Sequence, residues 1–91
     1  MDGRTAVITG GSLGLGRAMG AEFASSGANV AIVARRADVL EEAKAEILAA
    51  APGAKIGAYA CDMCDPAAIK AMHDAVVNDL GLVDVVVNNA G

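Results

Sequence analysis

Two segments of this chain carry residue types and spacings suited to seating a phosphate-bearing ligand. The first is Thr9-Gly10-Gly11-Ser12-Leu13-Gly14-Leu15-Gly16, where a β-branched run hands over to a helix. Gly10 lets the chain leave the strand in a conformation that a Cβ resists. Gly14 lets the backbone approach a diphosphate closely, and Gly16 lets the next helix pack tightly on the sheet. Main-chain amides of this turn, those of Leu13 and Leu15 included, face the anion with the positive end of the helix dipole behind them. Ser12 adds a hydroxyl donor. The second segment, Asn88-Asn89-Ala90-Gly91, follows an apolar strand. The spacing differs from G-x-G-x-x-G, and no P-loop lysine is present, so nucleoside triphosphatase chemistry is not expected.

The rest of the chain reads as the frame that holds these segments. Residues 5–9 form a buried first strand, and Leu15, Met19 and Phe23 recur on one face of a helix over 14–26 that Gly27 ends. Residues 29–34 are apolar throughout, as in a strand covered on both sides. Asp38, three residues before Glu41, looks like the start of a capping box. Val39, Leu40, Ala43 and Ile47 make the buried stripe of that second helix, which Pro52-Gly53 closes. Residues 55–61 form a third strand. Asp65-Pro66 caps a third helix, whose apolar face is Ile69, Met72, Val76 and Leu80 and whose stop is Gly81. Residues 83–87 form a fourth strand.

Short connections make each helix a right-handed crossover between parallel strands. The fold class is therefore α/β, a Rossmann-type doubly wound sheet in the order 3-2-1-4 with three crossover helices. Ligands of such sheets bind beyond the carboxyl ends of the strands, where the winding reverses. Both glycine-bearing segments fall at that reversal.

Composition narrows the function classes. A chain of 91 residues holds one small domain or part of a larger one. Net charge of −4, with Arg35-Arg36 the one basic pair, argues against a nucleic-acid-coating role. No apolar run approaches the roughly 18 residues needed to cross a bilayer, and no secretory leader is read at the start. The expected compartment is the cytoplasm. Cys61-Asp62-Met63-Cys64 is a single C-x-x-C with the one histidine, His73, on another segment, so neither a metal site nor a redox role is expected. Arg17 reads as a solvated charge.

Thr9-Gly10-x-x-x-Gly14-x-Gly16 together with Asn88-Asn89-Ala90-Gly91 resembles the short-chain dehydrogenase/reductase family. The likeness is to its compact single-domain branch, closest to 3-oxoacyl-carrier-protein reductases and related carbonyl reductases. The extended branch would want glycine at position 13, where this chain has leucine. The resemblance implies that the first motif holds the cofactor pyrophosphate. It implies too that Asn89, Ala90 and Gly91 lie against the adenosine-side ribose and steady the central sheet.

The cofactor can be read further. An NAD site usually ends its second strand with a carboxylate for the ribose 2′-OH. Here that place falls to Ala34, followed by Arg35 and Arg36, whose guanidinium forks suit a 2′-phosphate. NADP(H) is thus expected over NAD(H), although the family's other basic NADP signal is Leu13 here. Asp62 matches the family's carboxylate for the adenine amino group, with Met63 as a main-chain donor.

No catalytic residue is assigned. The resemblance places a tyrosine acid/base, a lysine four residues on, a serine and an asparagine beyond Asn88-Asn89-Ala90-Gly91. Tyr59, on a strand with Met63 four residues later, is not that tyrosine. Residues 1–91 are expected to be the N-terminal dinucleotide-binding portion of one longer Rossmann domain. The implied whole is a homo-oligomer, commonly a tetramer, that interconverts a small-molecule carbonyl and alcohol without a metal. The alternative is a non-catalytic nucleotide-binding or partner-binding module complete at this length.

Overall fold

Short runs of β-branched and small apolar residues make the strands, because such side chains fit a pleated surface. The computed structural model describes residues 3–10 and 14–88. In chain order the elements are β1 (Thr5–Thr9), α1 (Gly14–Ser25), β2 (Asn29–Ala34), α2 (Ala37–Ala50), β3 (Ile56–Ala60), α3 (Pro66–Leu80) and β4 (Val85–Asn88). The four strands are parallel in the order β3-β2-β1-β4, as the alternation of patterns predicts. Register pairs Thr9 with both Val33 and Asn88, and Ala34 with Ala60. The strands therefore finish together along one edge.

Alternation along each strand splits the core into two layers. Ile8, Val30, Ile32 and Ile56 meet Ala24 of α1 and Leu40, Ala43 and Ile47 of α2. Val7, Ala31, Val33 and Cys61 meet Val76 of α3 on the opposite face. Met19 and Phe23 complete the first layer, and Ile69, Met72 and Leu80 the second, as read from the sequence, whereas Val39 of the expected second stripe is only half-buried and joins neither layer. Each fully buried Ile or Leu among these contributes about 1.5–3 kcal/mol. Helices α1 and α2 also touch directly. A Cβ on Gly20 would lie 2.8 Å from Ile47 Cδ1, so a larger residue there would make that terminal methyl shift.

The ends of the elements follow local chemistry, with three departures from expectation. Gly27 and Gly81 end α1 and α3 at φ of 91° and 105°, in the region that favours glycine. Asp65 Oδ1 accepts from the Ala67 amide at 3.0 Å, with Pro66 at the first helical position. Asp38, however, is no N-cap. The Leu40 amide donates to Arg36 O, so α2 opens at Ala37 and Asp38 already lies in its first turn. Arg17 is not simply solvated, since its Nη1 pairs with Glu46 Oε2 at 2.6 Å and links α1 to α2. The last strand begins at Val85 rather than residue 83, because Val83 packs under α3 and the Asp84 carboxylate takes the Thr5 amide.

Candidate functional site

The strand ends bring most of the candidate residues onto one edge. Along it stand the exits of β3, β2, β1 and β4 in turn, about 15 Å from first to last at ordinary strand spacing. Asp62 and Met63 follow β3, Arg35 and Arg36 follow β2, Gly10 follows β1, and Asn88 closes β4. Gly14 and Gly16 lie in the first turn of α1, whose N-terminus opens on the same edge. Ser12, Leu13, Asn89, Ala90, Gly91 and the side chain of Leu15 lie outside the described residues.

Each exit has its own geometry. Gly10 has φ of 71°, and its amide donates to Val33 O at 2.7 Å, so the chain leaves β1 in a left-handed turn still tied to β2. On the other side, the Thr9 hydroxyl donates to Asn88 Oδ1 at 3.1 Å. That bond fixes the Asn88 amide at the point where the winding reverses. Thr9 heads the glycine motif in the sequence but has no role assigned there, although a polar residue closing an apolar strand is the signal that could have found one.

At the exit of β2, Ala34 leaves the sheet with its carbonyl accepting from the Cys61 amide at 2.8 Å. Arg35 is exposed and has no hydrogen-bond or ion-pair partner among the described residues. Arg36 is also exposed, but its Nη2 meets Asp38 Oδ2 at 2.8 Å. That guanidinium, ahead of the Val39 amide, holds the Asp38 carboxyl below the usual carboxylate range. The two arginines are thus not equivalent.

At the exit of β3, Asp62 Oδ1 accepts from the Cys64 amide at 2.9 Å, and Asp62 O accepts from the Asp65 amide. Asp62 therefore shapes the turn into α3, while its Oδ2 has no partner among the described residues. Met63 is 37% exposed. Cys61 is buried, and burial, followed by the Asp62 and Asp65 carboxylates, pushes its thiol up. A thiol so held stays protonated at neutral pH and is a poor nucleophile.

A hollow of about 550 Å³ lies elsewhere, at the edge where strands begin, between the ends of α1 and α2. Its wall includes Ala24, Ala28, Ala50 and Pro52, with Lys55 the one ionisable side chain among the lining residues. Ser25, Asn29 and Lys55 are the polar side chains among the lining residues. Among the described residues, no helix is long and apolar enough to cross a membrane, and no group of three or more His, Cys, Asp or Glu is placed to hold a metal ion.

A parallel sheet wound in both directions from β1, with a glycine turn at the reversal, defines an α/β protein of the Rossmann class. The family follows from comparison: residues 4–91 match the model of the short chain dehydrogenases, and this chain belongs to that family. A short chain dehydrogenase/reductase of Macrophomina phaseolina is 44% identical over 88 residues, covering 97% of this chain and 50% of that protein. The L-sorbose reductase of Gluconobacter frateurii, solved with NADPH and L-sorbose, superposes with a TM-score of 0.91 at 37% identity. It covers all of this chain, which spans 34% of that one. An NAD+-bound xylitol dehydrogenase superposes with a TM-score of 0.92 at 30% identity, covering 99% and 34% of the two chains. The chain thus spans half or less of the length of these relatives.

Proposed function

We propose that residues 1–91 are the N-terminal, cofactor-holding portion of a single Rossmann domain in an oxidoreductase that interconverts a small-molecule carbonyl and alcohol, with NADP(H) preferred over NAD(H). The observation that carries this reading is the exit of β2. A carboxylate is missing at Ala34, and the neighbouring Arg35 is exposed and unpaired among the described residues. A guanidinium at that place offers a fork of charged hydrogen bonds to a ribose 2′-phosphate, whereas a carboxylate would repel it.

The remaining roles follow the edge. The turn from Gly10 through Ser12, Leu13, Gly14, Leu15 and Gly16 seats the pyrophosphate on main-chain amides. Asp62 Oδ2 accepts from the adenine amino group, and Met63 offers its amide. Asn89, Ala90 and Gly91 line the adenosine-side ribose. The bound nicotinamide supplies or accepts the hydride, and the residues of this edge bind and orient it. Support for a nicotinamide cofactor comes from the NADPH and NAD+ carried by two structural relatives. The whole protein is taken as a cytoplasmic homo-oligomer, a tetramer, working without a metal.

Calorimetric titration of the full-length protein with NADPH and NADH tests this reading. Arg35→Ala should weaken NADPH binding about ten- to hundred-fold, the worth of a hydrogen bond to a charged group. NADH binding should stay within about two-fold, and Ala34→Asp should reverse the preference. Equal affinity of the intact protein for both cofactors would refute it.

A further inference from the structure

We propose that Asp38 is a specificity-determining residue for the nucleotide: its ion pair with Arg36 competes with the 2′-phosphate and keeps the preference for NADP(H) below what two free arginines would give. This inference rests on the reading that the turn between β2 and α2 receives that phosphate.

Three observations carry it. Arg36 Nη2 lies 2.8 Å from Asp38 Oδ2, while Arg35, its neighbour, has no partner among the described residues. The turn therefore holds one committed guanidinium and one uncommitted one. Second, the Asp38 carboxylate takes a donor an incoming anion would use. It sits in the first turn of α2, against the Arg36 guanidinium, where the helix dipole favours negative charge. The protein's own carboxylate fills the place of a ligand anion. Third, both side chains are open to solvent, at 72% and 69% exposure. An ion pair so exposed is weak and screened, so a dianionic phosphate can displace the carboxylate. Asp38 thus lowers the gain from Arg36 without blocking it, and its negative charge remains beside the phosphate.

A mutant cycle on the full-length protein, read by calorimetric titration with NADPH and NADH at low salt, tests the proposal. Asp38→Asn should tighten NADPH binding about two- to five-fold, the span of an exposed ion pair, and leave NADH unchanged. Arg36→Ala should weaken NADPH binding less than Arg35→Ala does. In the Asp38→Asn background, Arg36→Ala should abolish the gain, and raised salt should shrink it. A gain that survives loss of Arg36 overturns the competition, as does an Asp38→Asn protein with unchanged NADPH affinity or with both cofactors shifted equally. If Arg35→Ala weakens NADPH while Asp38→Asn is silent, this inference alone fails. If Arg35→Ala leaves the NADPH preference intact, the phosphate reading beneath it fails as well.

Discussion

The two ends of the same strands are built differently. Where the strands begin, polar groups are tied to one another. The Thr5 amide donates to Asp84 Oδ2 at 2.9 Å, and the Thr5 hydroxyl donates to Leu80 O at 3.1 Å. Asn29 Nδ2 donates to the same carbonyl at 3.2 Å, and the Asp84 amide donates to Thr5 O. Where the strands end, Arg35 and Asp62 Oδ2 have no partner among the described residues, and α2 starts without a side-chain cap. In a strand–helix–strand unit, helix C-termini return to the beginning edge with unpaired carbonyls, which need donors such as Thr5 and Asn29. Helix N-termini open at the finishing edge with amides aimed outward, which suits an anion. Both edges thus carry internal bonds, at Thr9, Asp62 and Asp65 on the finishing side as well, but only there do the uncapped start of α2 and the unpartnered Arg35 and Asp62 Oδ2 stand together among the described residues.

The largest effect should come from the frame that both edges share. Ile32, fully buried between α1 and α2, should cost about 2–5 kcal/mol when truncated to alanine. Urea unfolding of the full-length protein would measure that loss, and cofactor affinity should fall only as the folded fraction falls.

Thr5→Val separates the edges more finely. It keeps the side-chain shape, removes the hydroxyl bond to Leu80 O, and should cost about 1–2 kcal/mol while NADPH affinity holds. Arg35→Ala should do the reverse, lowering affinity with a stability change within about 0.5 kcal/mol. If Thr5→Val weakens NADPH binding in a fully folded protein, the edges are coupled and the contrast breaks.

The smallest effect sharpens the comparison at the outer strand. Tyr59 of β3 donates to Asp79 Oδ2 at 2.9 Å, and burial, then that carboxylate, push its phenol up to about 12. The unfolded chain releases this proton near pH 10, before the folded one does. The stabilisation is therefore whole below about pH 10 and declines as pH rises towards 12. Tyr59→Phe should cost about 1 kcal/mol at neutral pH and flatten that part of the decline, as thermal melts across this range would report.

Much of this architecture is legible in the residues. Stripes at helical spacing, such as Leu40, Ala43 and Ile47, are short-range patterns, and all three are buried. Gly10 and Gly81 mark left-handed turns because only glycine enters that region without a Cβ clash. Asp65-Pro66 marks a helix start through chemistry confined to neighbouring residues. The Asp38 capping box fails for a different reason. The helix opens at Ala37 after Arg36, so Asp38 already lies in its first turn, beside the Arg36 guanidinium.

The pairings across the fold were not legible. Arg17 and Glu46 are 29 positions apart, and Thr5 meets Asp84 across 79. Either arginine of Arg35-Arg36 could have been the engaged one, and the backbone direction at the start of α2 selects Arg36.

By its order of residues alone, the chain determines which stretches are strands and helices, and that its glycine turn leaves β1 at the winding reversal with the arginine pair one strand away. Those properties depend on backbone sterics and on spacing within a few residues. Only the tertiary structure decides which charges are spent on one another and which stay open to a ligand, because an ion pair depends on distance in space and not on distance along the chain.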